Sequence, residues 1–303
     1  MNEIKQNSPY AWFLAARPKT LTGAIIPVLL GSALAFSDGQ FKTAPALLCA
    51  LFACGMQIAA NFINDLFDFQ KGTDRREDRL GPQRACAEGW ITPAAMKTGI
   101  GIALTLSCLA GLAVLFTVWG QLPHGGWELV VLGVACILFA FLYTTLLSYR
   151  GWGDVLVLVF FGFVPVCGTY YVQAYTLNMD VVVLSLVSGL AIDTLLMVNN
   201  YRDREQDAVS GKCTLVVRYG KKFGENMYLA LGIAAVLLCF WFVYTGKLTP
   251  LEFIWAPCVY LYMHALTWRK MIQIGSGKKL NSILGETSRN MLFLGLLLAV
   301  ALN

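Results

Sequence analysis

Two groups of carboxylate and amide side chains stand at the ends of apolar runs in this sequence. In the first group, Asn61, Asn64, Asp65 and Asp68 are spaced i, i+3, i+4 and i+7. One face of a helix would therefore carry all four side chains. Charges at membrane depth are costly and usually mark function. Oxygen donors without His or Cys suit a hard cation such as Mg²⁺. The alternative is a solvated helix end with flanking charges.

The second group lies at the end of another apolar run. Asn199, Asp203 and Asp207 are spaced i, i+4 and i+8, which again places three side chains on one helical face. Basic residues lie within or shortly after both groups. These are Arg75, Arg76, Arg79, Arg84, Arg202 and Lys212. One acidic helix end is weak evidence of a site. Two such ends, each opened by Asn and accompanied by basic residues, indicate a shared function.

The composition indicates a membrane protein. With 57% hydrophobic and 14% charged residues, the chain is too apolar for an ordinary soluble domain. The net charge of +5 does not indicate nucleic-acid binding, because the basic residues lie in interhelical loops. The nine cysteines lie mostly in apolar runs without CxxC spacing, so we interpret them as neither disulfides nor metal ligands. The first ten residues lack a signal peptide's apolar core, which predicts that the first helix is retained.

The predicted fold is an all-α integral membrane bundle of about nine transmembrane helices, with residues 1–303 as a single domain. A chain of 303 residues is long enough for nine spans of about 20 residues each. Short connections alternate with three long, charged ones. The predicted spans are Ala11–Phe36, Ala44–Phe69, Ala94–Trp119, Trp127–Ser148, Gly153–Gln173, Val181–Tyr201, Met227–Tyr244, Leu251–Trp268 and Arg289–Ala301.

The basic residues predict the orientation of this bundle. The nine spans place all but two of the 23 Lys and Arg residues on one side, the exceptions being Lys42 and Lys247. The positive-inside rule makes the crowded side cytoplasmic, with the N-terminus on that side. The two spans that carry the acidic groups run in the same direction. Both acidic ends would therefore face the cytoplasm and could meet over one cavity.

Two carboxylate sets facing one cavity suit a diphosphate substrate. Magnesium ions would bridge the acids to phosphate oxygens, and Lys and Arg would neutralise the remaining charge. A metal-bound diphosphate is a much better leaving group than a free one. The implied chemistry is ionisation of an allylic carbon–oxygen bond.

Six segments carry a family resemblance. They are ARPKTL from Ala16, PVLLGSALA from Pro27, NFINDLFDFQKGTD from Asn61, GPQRACAEGWIT from Gly81, YRGWGDVLVLVFFGFVPVCGTYYVQ from Tyr149 and NNYRDREQDAVSGKCTLVVRYG from Asn199. Over nearly its whole length the chain resembles the UbiA superfamily of intramembrane prenyltransferases, most of all its 1,4-dihydroxy-2-naphthoate branch. The resemblance implies a nine-helix bundle whose central cavity opens sideways to lipid under a cap of two acidic loops.

The resemblance also implies roles for individual residues. The magnesium ligands would be Asn61, Asp65, Asp68, Asp203 and Asp207, with the four acids also acting in catalysis. The diphosphate contacts would be Arg75 or Arg79, Arg84, Arg202 and Lys212, with Asn199 beside them. Arg17 resembles a position associated with the acidic aromatic substrate, and a guanidinium fork binds both oxygens of a carboxylate. Its alternative role is to pair with lipid phosphate at a helix end.

The activity implied by the resemblance is transfer of a long prenyl group from polyprenyl diphosphate to 1,4-dihydroxy-2-naphthoate. Carbon dioxide and diphosphate would leave, giving demethylmenaquinone. Asp65 or Asp68 could take a proton from a ring hydroxyl. The expected setting is the bacterial cytoplasmic membrane, with Mg²⁺ as cofactor and membrane lipid as a partner. No nucleic acid and no obligatory protein partner are expected.

Two alternatives remain. One is another aromatic acceptor, such as 4-hydroxybenzoate or homogentisate. The other is a cation-coupled transporter, although transporters need access from both sides and these acids cluster on one face.

Three other ionisable residues lie in or beside the apolar runs. We expect Asp193, in the middle of its predicted helix, to pair with a Tyr or Thr of a neighbouring helix rather than line the cavity. His264 is expected to be a satisfied interior group rather than a catalytic base. Asp154 stands where members of the family often carry Glu, and the shorter acid leaves its role open.

Overall fold

The structure, a computed structural model, describes residues 4–72, 79–143 and 147–303. Within these residues the chain is helical and has no strand, which confirms the all-α class. Seven helical segments in the described residues are long and apolar enough to cross a membrane. The chain is therefore an integral membrane protein. The seven segments are Pro9–Ser37, Thr43–Lys71, Pro93–Thr117, Gly153–Ala174, Met179–Val209, Lys221–Tyr244 and Leu280–Ala301.

The helices are numbered in chain order. They are α1 (Pro9–Ala16), α2 (Leu21–Ser37), α3 (Thr43–Lys71), α4 (Pro93–Thr117), α5 (Trp127–Leu142), α6 (Gly153–Val157), α7 (Val164–Ala174), α8 (Met179–Val209), α9 (Leu215–Tyr219), α10 (Lys221–Leu238), α11 (Phe240–Tyr244), α12 (Pro250–Phe253), α13 (Val259–Ile274) and α14 (Leu280–Ala301). Two π-helical segments, Leu158–Phe163 and Ile254–Cys258, join α6 to α7 and α12 to α13.

Two of the nine predicted spans fall short of a simple membrane helix. Helix α5 has 16 residues of α-helix. The segment made by α12 and α13 is interrupted by a π-helical turn that contains Pro257. Seven spans coincide with the long apolar segments, and the count of nine stays a prediction.

The two largest errors in the predicted helix boundaries concern α8 and α14. Helix α8 continues to Val209 instead of ending at Tyr201, and α14 begins at Leu280 instead of Arg289. The predictions ended each helix where apolar residues give way to charged ones. The backbone hydrogen bonds of a helix also form in polar surroundings, however. Here the end of α8 packs against the start of α14. Tyr201, Leu280 and Ile283 are all fully buried in one apolar cluster.

The first apolar segment is broken at Arg17. Its φ of 52° and ψ of 67° are left-handed, a conformation that non-glycine residues rarely adopt. Pro18 follows, and a proline disfavours the right-handed helical conformation in the residue before it. The hydroxyl of Thr20 donates a hydrogen bond to the Arg17 carbonyl at 2.9 Å. The break separates α1 from α2 and places Arg17 at the mouth of the bundle.

Close helix packing holds the middle of the bundle together. A Cβ on Gly31 of α2 would lie 2.6 Å from the carbonyl oxygen of Val166 in α7. A Cβ on Gly162 would lie 2.5 Å from the carbonyl oxygen of Ser185 in α8. Both distances exclude any side chain. Small residues therefore allow these backbones to approach, as is typical of membrane helix pairs.

The helix ends opposite the acidic groups are joined by an ion network. Asp38, just after α2, pairs with Lys247 and accepts hydrogen bonds from the Tyr170 hydroxyl at 2.6 Å and from Asn178 at 3.3 Å. Lys247 also lies 3.8 Å from Asp180 of α8. Partial burial alone would raise the pKa of Asp38, but the hydrogen bonds from Lys247 and Tyr170 lower it below its ordinary value. The network ties α2, α7 and α8 together at this end.

Candidate metal and diphosphate site

The first acidic group lies on the last turns of α3, beside the break between α1 and α2. The Asn61 amide donates to the carbonyl of Ala16 at 3.0 Å and to the hydroxyl of Thr20 at 2.9 Å. Asn61 is buried. These bonds orient its side chain and hold α3 against the chain break that carries Arg17.

Asp65 and Asp68 dock the loop that follows α3. The buried Asp65 accepts the backbone N–H of Ala85 at 2.8 Å through one oxygen and that of Cys86 at 2.9 Å through the other. Arg84, next to them in the chain, forms a 3.1 Å salt bridge to Asp68. Burial, together with the nearby Asp65 carboxylate, raises the pKa of Cys86 to about 12, so this residue stays a thiol. The loop is therefore held on α3 through both acids.

The second acidic group lies on the last turns of α8. Arg202 binds the carboxylate of Asp203 with two nitrogens, at 2.5 and 2.7 Å. Lys212 lies 3.5 Å from one oxygen of Asp207. The other Asp207 oxygen, Oδ2, is buried and has no hydrogen-bond partner in the described part of the chain. Asp203 and Asp207 thus each face a basic residue that was predicted to bind the diphosphate. Asp68 faces Arg84 in the same way.

The loop after α3 also reaches the second group. Arg202 donates to the side-chain oxygen of Asn281 at 2.9 Å, and the Asn281 amide donates to the carbonyl of Leu80 at 2.8 Å. A Cβ on Gly81 would lie 2.9 Å from an Arg202 nitrogen. The Arg202 guanidinium therefore packs closely on the backbone of Gly81. The loop therefore connects both groups.

Arg79 lies between the two groups. Its guanidinium is close enough to Asp68 and Asp203 to interact with both charges. Its Nε donates to the carbonyl of Pro82 at 2.6 Å. Burial, with a smaller contribution from neighbouring Arg84, lowers the pKa of Arg79 to about 10. The side chain therefore stays charged at neutral pH and adds a cation to the site.

Arg17 contributes a further cation beside the first group. Its nearest charged neighbours include Arg84, Arg79 and the two acids Asp65 and Asp68. Its Nη2 is buried and has no hydrogen-bond partner among the residues described. A guanidinium nitrogen without a partner is positioned to receive an anionic ligand.

The two asparagines that open the second motif differ in their surroundings. The Asn199 side chain donates to a carbonyl of its own helix at 3.1 Å. Asn200 is buried and lines a small cleft of about 10 Å³ with Tyr143, Asp154 and Lys212. Sequence reasoning missed Asn200 as a lining residue, and it missed Asn281 as the residue that holds Arg202. Asn281 was missed because its helix was predicted as a loop.

Some predicted residues lie outside the described residues. Arg75, assigned to the diphosphate, falls in the stretch 73–78, together with Arg76. Its placement stays a prediction.

The oxygen donors fit a magnesium–diphosphate complex better than a metal held by protein alone. No three His, Cys, Asp or Glu side chains converge on one point in the described ranges. Magnesium commonly keeps several waters and binds through one or two carboxylates together with substrate phosphates. The unpartnered Oδ2 of Asp207 is the kind of donor that such an ion uses.

His264 is a satisfied interior group, which confirms the expectation. Its Nε2 lies 2.9 Å from the carbonyl oxygen of Tyr228. The imidazole stacks on the rings of Tyr228 and Tyr260, with centroid distances of 4.4 and 5.5 Å. Gly232 makes room for it, since a Cβ there would lie 2.3 Å from the ring. His264 therefore holds α13 against α10.

Comparison with known proteins identifies relatives of this chain. The sequence model of the UbiA prenyltransferase family matches residues 24–282. A 1,4-dihydroxy-2-naphthoate octaprenyltransferase of Escherichia coli is 37% identical over 79% of this chain and 78% of its own. A protein of the same name from Mycobacterium leprae is 34% identical over 96% of both chains.

Solved structures share the fold at low identity. The apo structure of a UbiA homolog from Aeropyrum pernix K1 has a TM-score of 0.69 and 15% identity, covering 94% of this chain and 97% of its own. A UbiA homolog from Archaeoglobus fulgidus bound to GPP and Mg²⁺ has a TM-score of 0.64 and 13% identity, covering 96% and 99%.

Proposed function

Because the chain belongs to the UbiA prenyltransferase family, we propose that it transfers a polyprenyl group from polyprenyl diphosphate to 1,4-dihydroxy-2-naphthoate. The products are demethylmenaquinone in its reduced, quinol form, diphosphate and carbon dioxide. The acceptor is inferred from the names of the bacterial relatives. The diphosphate donor is inferred from the charges of the site, and its prenyl tail would lie among the apolar helices and membrane lipid.

The convergence of two acidic helix ends supports a diphosphate donor most directly. The acids alone would repel the donor, so cations must intervene. Side-chain cations are present in the described residues, namely Arg79, Arg84, Arg202 and Lys212. Magnesium would add to them, held by Asn61, Asp65, Asp68, Asp203 and Asp207 together with phosphate oxygens. When bound, it would offset the charge that develops on the leaving diphosphate.

Binding of the donor would exchange ion-pair partners. Asp68, Asp203 and Asp207 each face a basic side chain in this structure. A diphosphate offers those basic side chains new anionic partners, and the acids then become available to metal. Asp65 keeps the loop docked meanwhile, because its two bonds go to backbone N–H groups.

Arg17 is proposed to bind the carboxylate of the acceptor. Its unpartnered nitrogen and left-handed backbone place it at the mouth of the bundle, away in sequence from both acidic motifs. The acceptor's carboxylate would be held by the same contact before and during prenyl transfer. Such a contact mainly affects binding of the acceptor.

We expect Arg17→Ala to raise the Michaelis constant for the acceptor about tenfold or more while changing that for the donor little. A charge-assisted hydrogen bond contributes roughly 1.5–3 kcal/mol, which sets this scale. Initial rates at varied acceptor and varied donor measure the two constants. Lys19→Ala is the matched control, since Lys19 is an exposed cation two residues away. If only the donor constant changes, Arg17 belongs to the diphosphate instead.

An acceptor panel tests the proposed function. The purified protein is mixed with Mg²⁺, a polyprenyl diphosphate and one of three acceptors: 1,4-dihydroxy-2-naphthoate, 4-hydroxybenzoate or homogentisate. We expect diphosphate release and a prenylated product only with the naphthoate, with a product mass that shows loss of carbon dioxide. Product from another acceptor alone would replace the naphthoate assignment. Ion uptake into vesicles without any prenylated product would favour a transporter.

The orientation prediction can be tested with thiol labelling. All nine cysteines lie in the described residues, and only Cys213, in the loop after α8, is exposed. We expect a membrane-impermeant thiol reagent to reach Cys213 only from the cytoplasmic side. In a Cys213→Ser background, Gln40→Cys should react only from the opposite side, because Gln40 is exposed at the other end of the bundle. Labelling of both positions from one side would contradict the predicted topology.

A further inference from the structure

Two buried carboxylates lie outside the acidic motifs. Asp193 of α8 has 1% of its surface exposed, and Asp154 at the start of α6 has 6%. The Oδ1 atom of each is buried without a hydrogen-bond partner in the described residues. Leaving a polar atom buried and unbonded costs about 1–3 kcal/mol. Oδ1 of Asp193 has no Tyr or Thr partner among the described residues.

The packing of α6 on α8 brings these two residues to one place. A Cβ on Gly153 would lie 3.2 Å from a Leu196 methyl group, and a Cβ on Gly189 would lie 3.1 Å from the Leu158 Cα. The two segments therefore run antiparallel in contact. Asp193 lies four residues after Gly189 and three before Leu196, so it is on the α8 face that covers α6. Asp154 follows Gly153 directly and meets that face.

The pair lies beside the end of the second acidic motif. Tyr143 is close enough to the pair, and also to Asp68 and Asp207, to interact with all four charges. Asp154 lines the small cleft with Tyr143, Asn200 and Lys212. Asp193 is close enough to Asp154 for their charges to interact. Asp154 therefore lies nearer the site, with Asp193 behind it.

Two carboxylates that share an apolar environment do not both carry charge. Like charges at close range in low dielectric repel strongly, so such pairs hold one proton between them. No cation among the described residues is bonded to either Oδ1 atom. A proton shared by the pair would remove the need for one, and α6 and α8 could then carry both acids in a membrane-spanning position.

We propose that Asp154 and Asp193 form a carboxyl pair that holds a ring-hydroxyl proton of the acceptor during prenyl transfer and then returns it. Asp154 contacts the hydroxyl and is the catalytic member. Asp193 shares the proton and is a positioning residue. The inference rests on the proposed function, since it requires a hydroxylated aromatic acceptor.

The balance of the reaction explains why the proton must come back. The bond between the prenyl carbon and the diphosphate oxygen breaks, and its electron pair leaves with diphosphate. The ring carbon that bears the carboxylate attacks with a ring electron pair, helped by withdrawal of the hydroxyl proton. The carbon–carboxylate bond then breaks as carbon dioxide leaves, and its electron pair restores the aromatic ring. The hydroxyl oxygen recovers its proton, so no net proton is consumed or released.

This proton requirement fits the pair better than the motif acids. Both oxygens of Asp65 already accept backbone N–H groups, and Asp68 is bonded to Arg84. These oxygens are therefore already occupied by hydrogen-bond donors. Asp154 and Asp193 have open oxygens and are buried, which keeps the held proton from exchanging with water.

The test combines infrared spectroscopy with kinetics. We expect the wild-type protein to show the carbonyl stretch of a protonated carboxyl group, and this band to be lost or displaced in Asp154→Asn and in Asp193→Asn. Each variant should lose about a hundredfold or more in kcat, which is the lower range for a positioned proton-transfer group. The Michaelis constant for the donor should stay near its wild-type value. Asp180→Asn is the control, because Asp180 belongs to α8 but pairs with Lys247 at the opposite end.

The outcomes distinguish a failure of the proposed carboxyl pair from a failure of the proposed function. An unchanged band in both variants, or wild-type kcat in both, overturns the proposal while leaving prenyl transfer intact. A wild-type protein that prenylates none of the three acceptors overturns the proposed function together with the proton-return role. If Asp193→Asn does not fold, Asp154→Asn carries the test, since Asp154 lies nearer the mouth of the bundle and borders a cleft.

Discussion

Asp207→Asn and Asp68→Asn are each expected to lower the rate of prenyl transfer by about a hundredfold or more, or roughly 3 kcal/mol in activation free energy. Both substitutions keep the shape of the side chain and remove one negative charge. The two acids belong to different helices, α3 and α8, and each faces a cation of the site. Losing either acid removes a ligand for the cations that offset the charge of the leaving diphosphate.

The measurement is kcat with saturating donor, acceptor and Mg²⁺. Glu205→Gln is the matched control for Asp207, because Glu205 is an acid on the same end of α8 whose side chain is 80% exposed. We expect it to keep the wild-type rate. Size-exclusion elution and thermal unfolding check that each variant is folded. If folded variants of Asp68 and Asp207 work near the wild-type rate, the proposed role is wrong. The two acidic groups are then solvated helix ends without a role in catalysis.

Removal of divalent cations is expected to abolish prenyl transfer, and added Mg²⁺ to restore it. The candidate ligands are all oxygen donors, which favour magnesium over soft transition metals. Without a divalent cation, the acids of the two motifs would repel the diphosphate. The measurement is product formation after treatment with a chelator and after titration with Mg²⁺. Full turnover in excess chelator would exclude the role proposed for these acids.

The ion pairs of the site predict how the metal binds. Since Arg84, Arg202 and Lys212 face the acids in this structure, Mg²⁺ alone should bind weakly, and inorganic diphosphate should strengthen its binding. Titration calorimetry of Mg²⁺ with and without diphosphate measures the difference. Lys212→Met removes one competing cation. It should strengthen binding of Mg²⁺ alone while weakening binding of diphosphate. Equal Mg²⁺ affinity with and without diphosphate would contradict the exchange of partners.

The sequence predicted the acidic groups because their signals are local. Helical spacing places Asn61, Asp65 and Asp68 on one face whatever surrounds them. The cost of charge beside an apolar run marks the same residues as functional. The all-α membrane class likewise follows from composition and from apolar runs long enough to span the bilayer. These properties depend on residues within a few helical turns of one another, so they can be predicted without knowledge of the fold.

The partners of those acids were decided only by the tertiary structure. Asp65 accepts two N–H groups from a loop about twenty residues later, and Arg202 is held by Asn281 from the last helix. Which cation meets which acid depends on how loops return to the bundle. The meeting of Asp154 with Asp193 depends on close packing of α6 on α8 at Gly153 and Gly189. Residue spacing within one helix cannot reveal such contacts, because they arise from the close packing of separate helices.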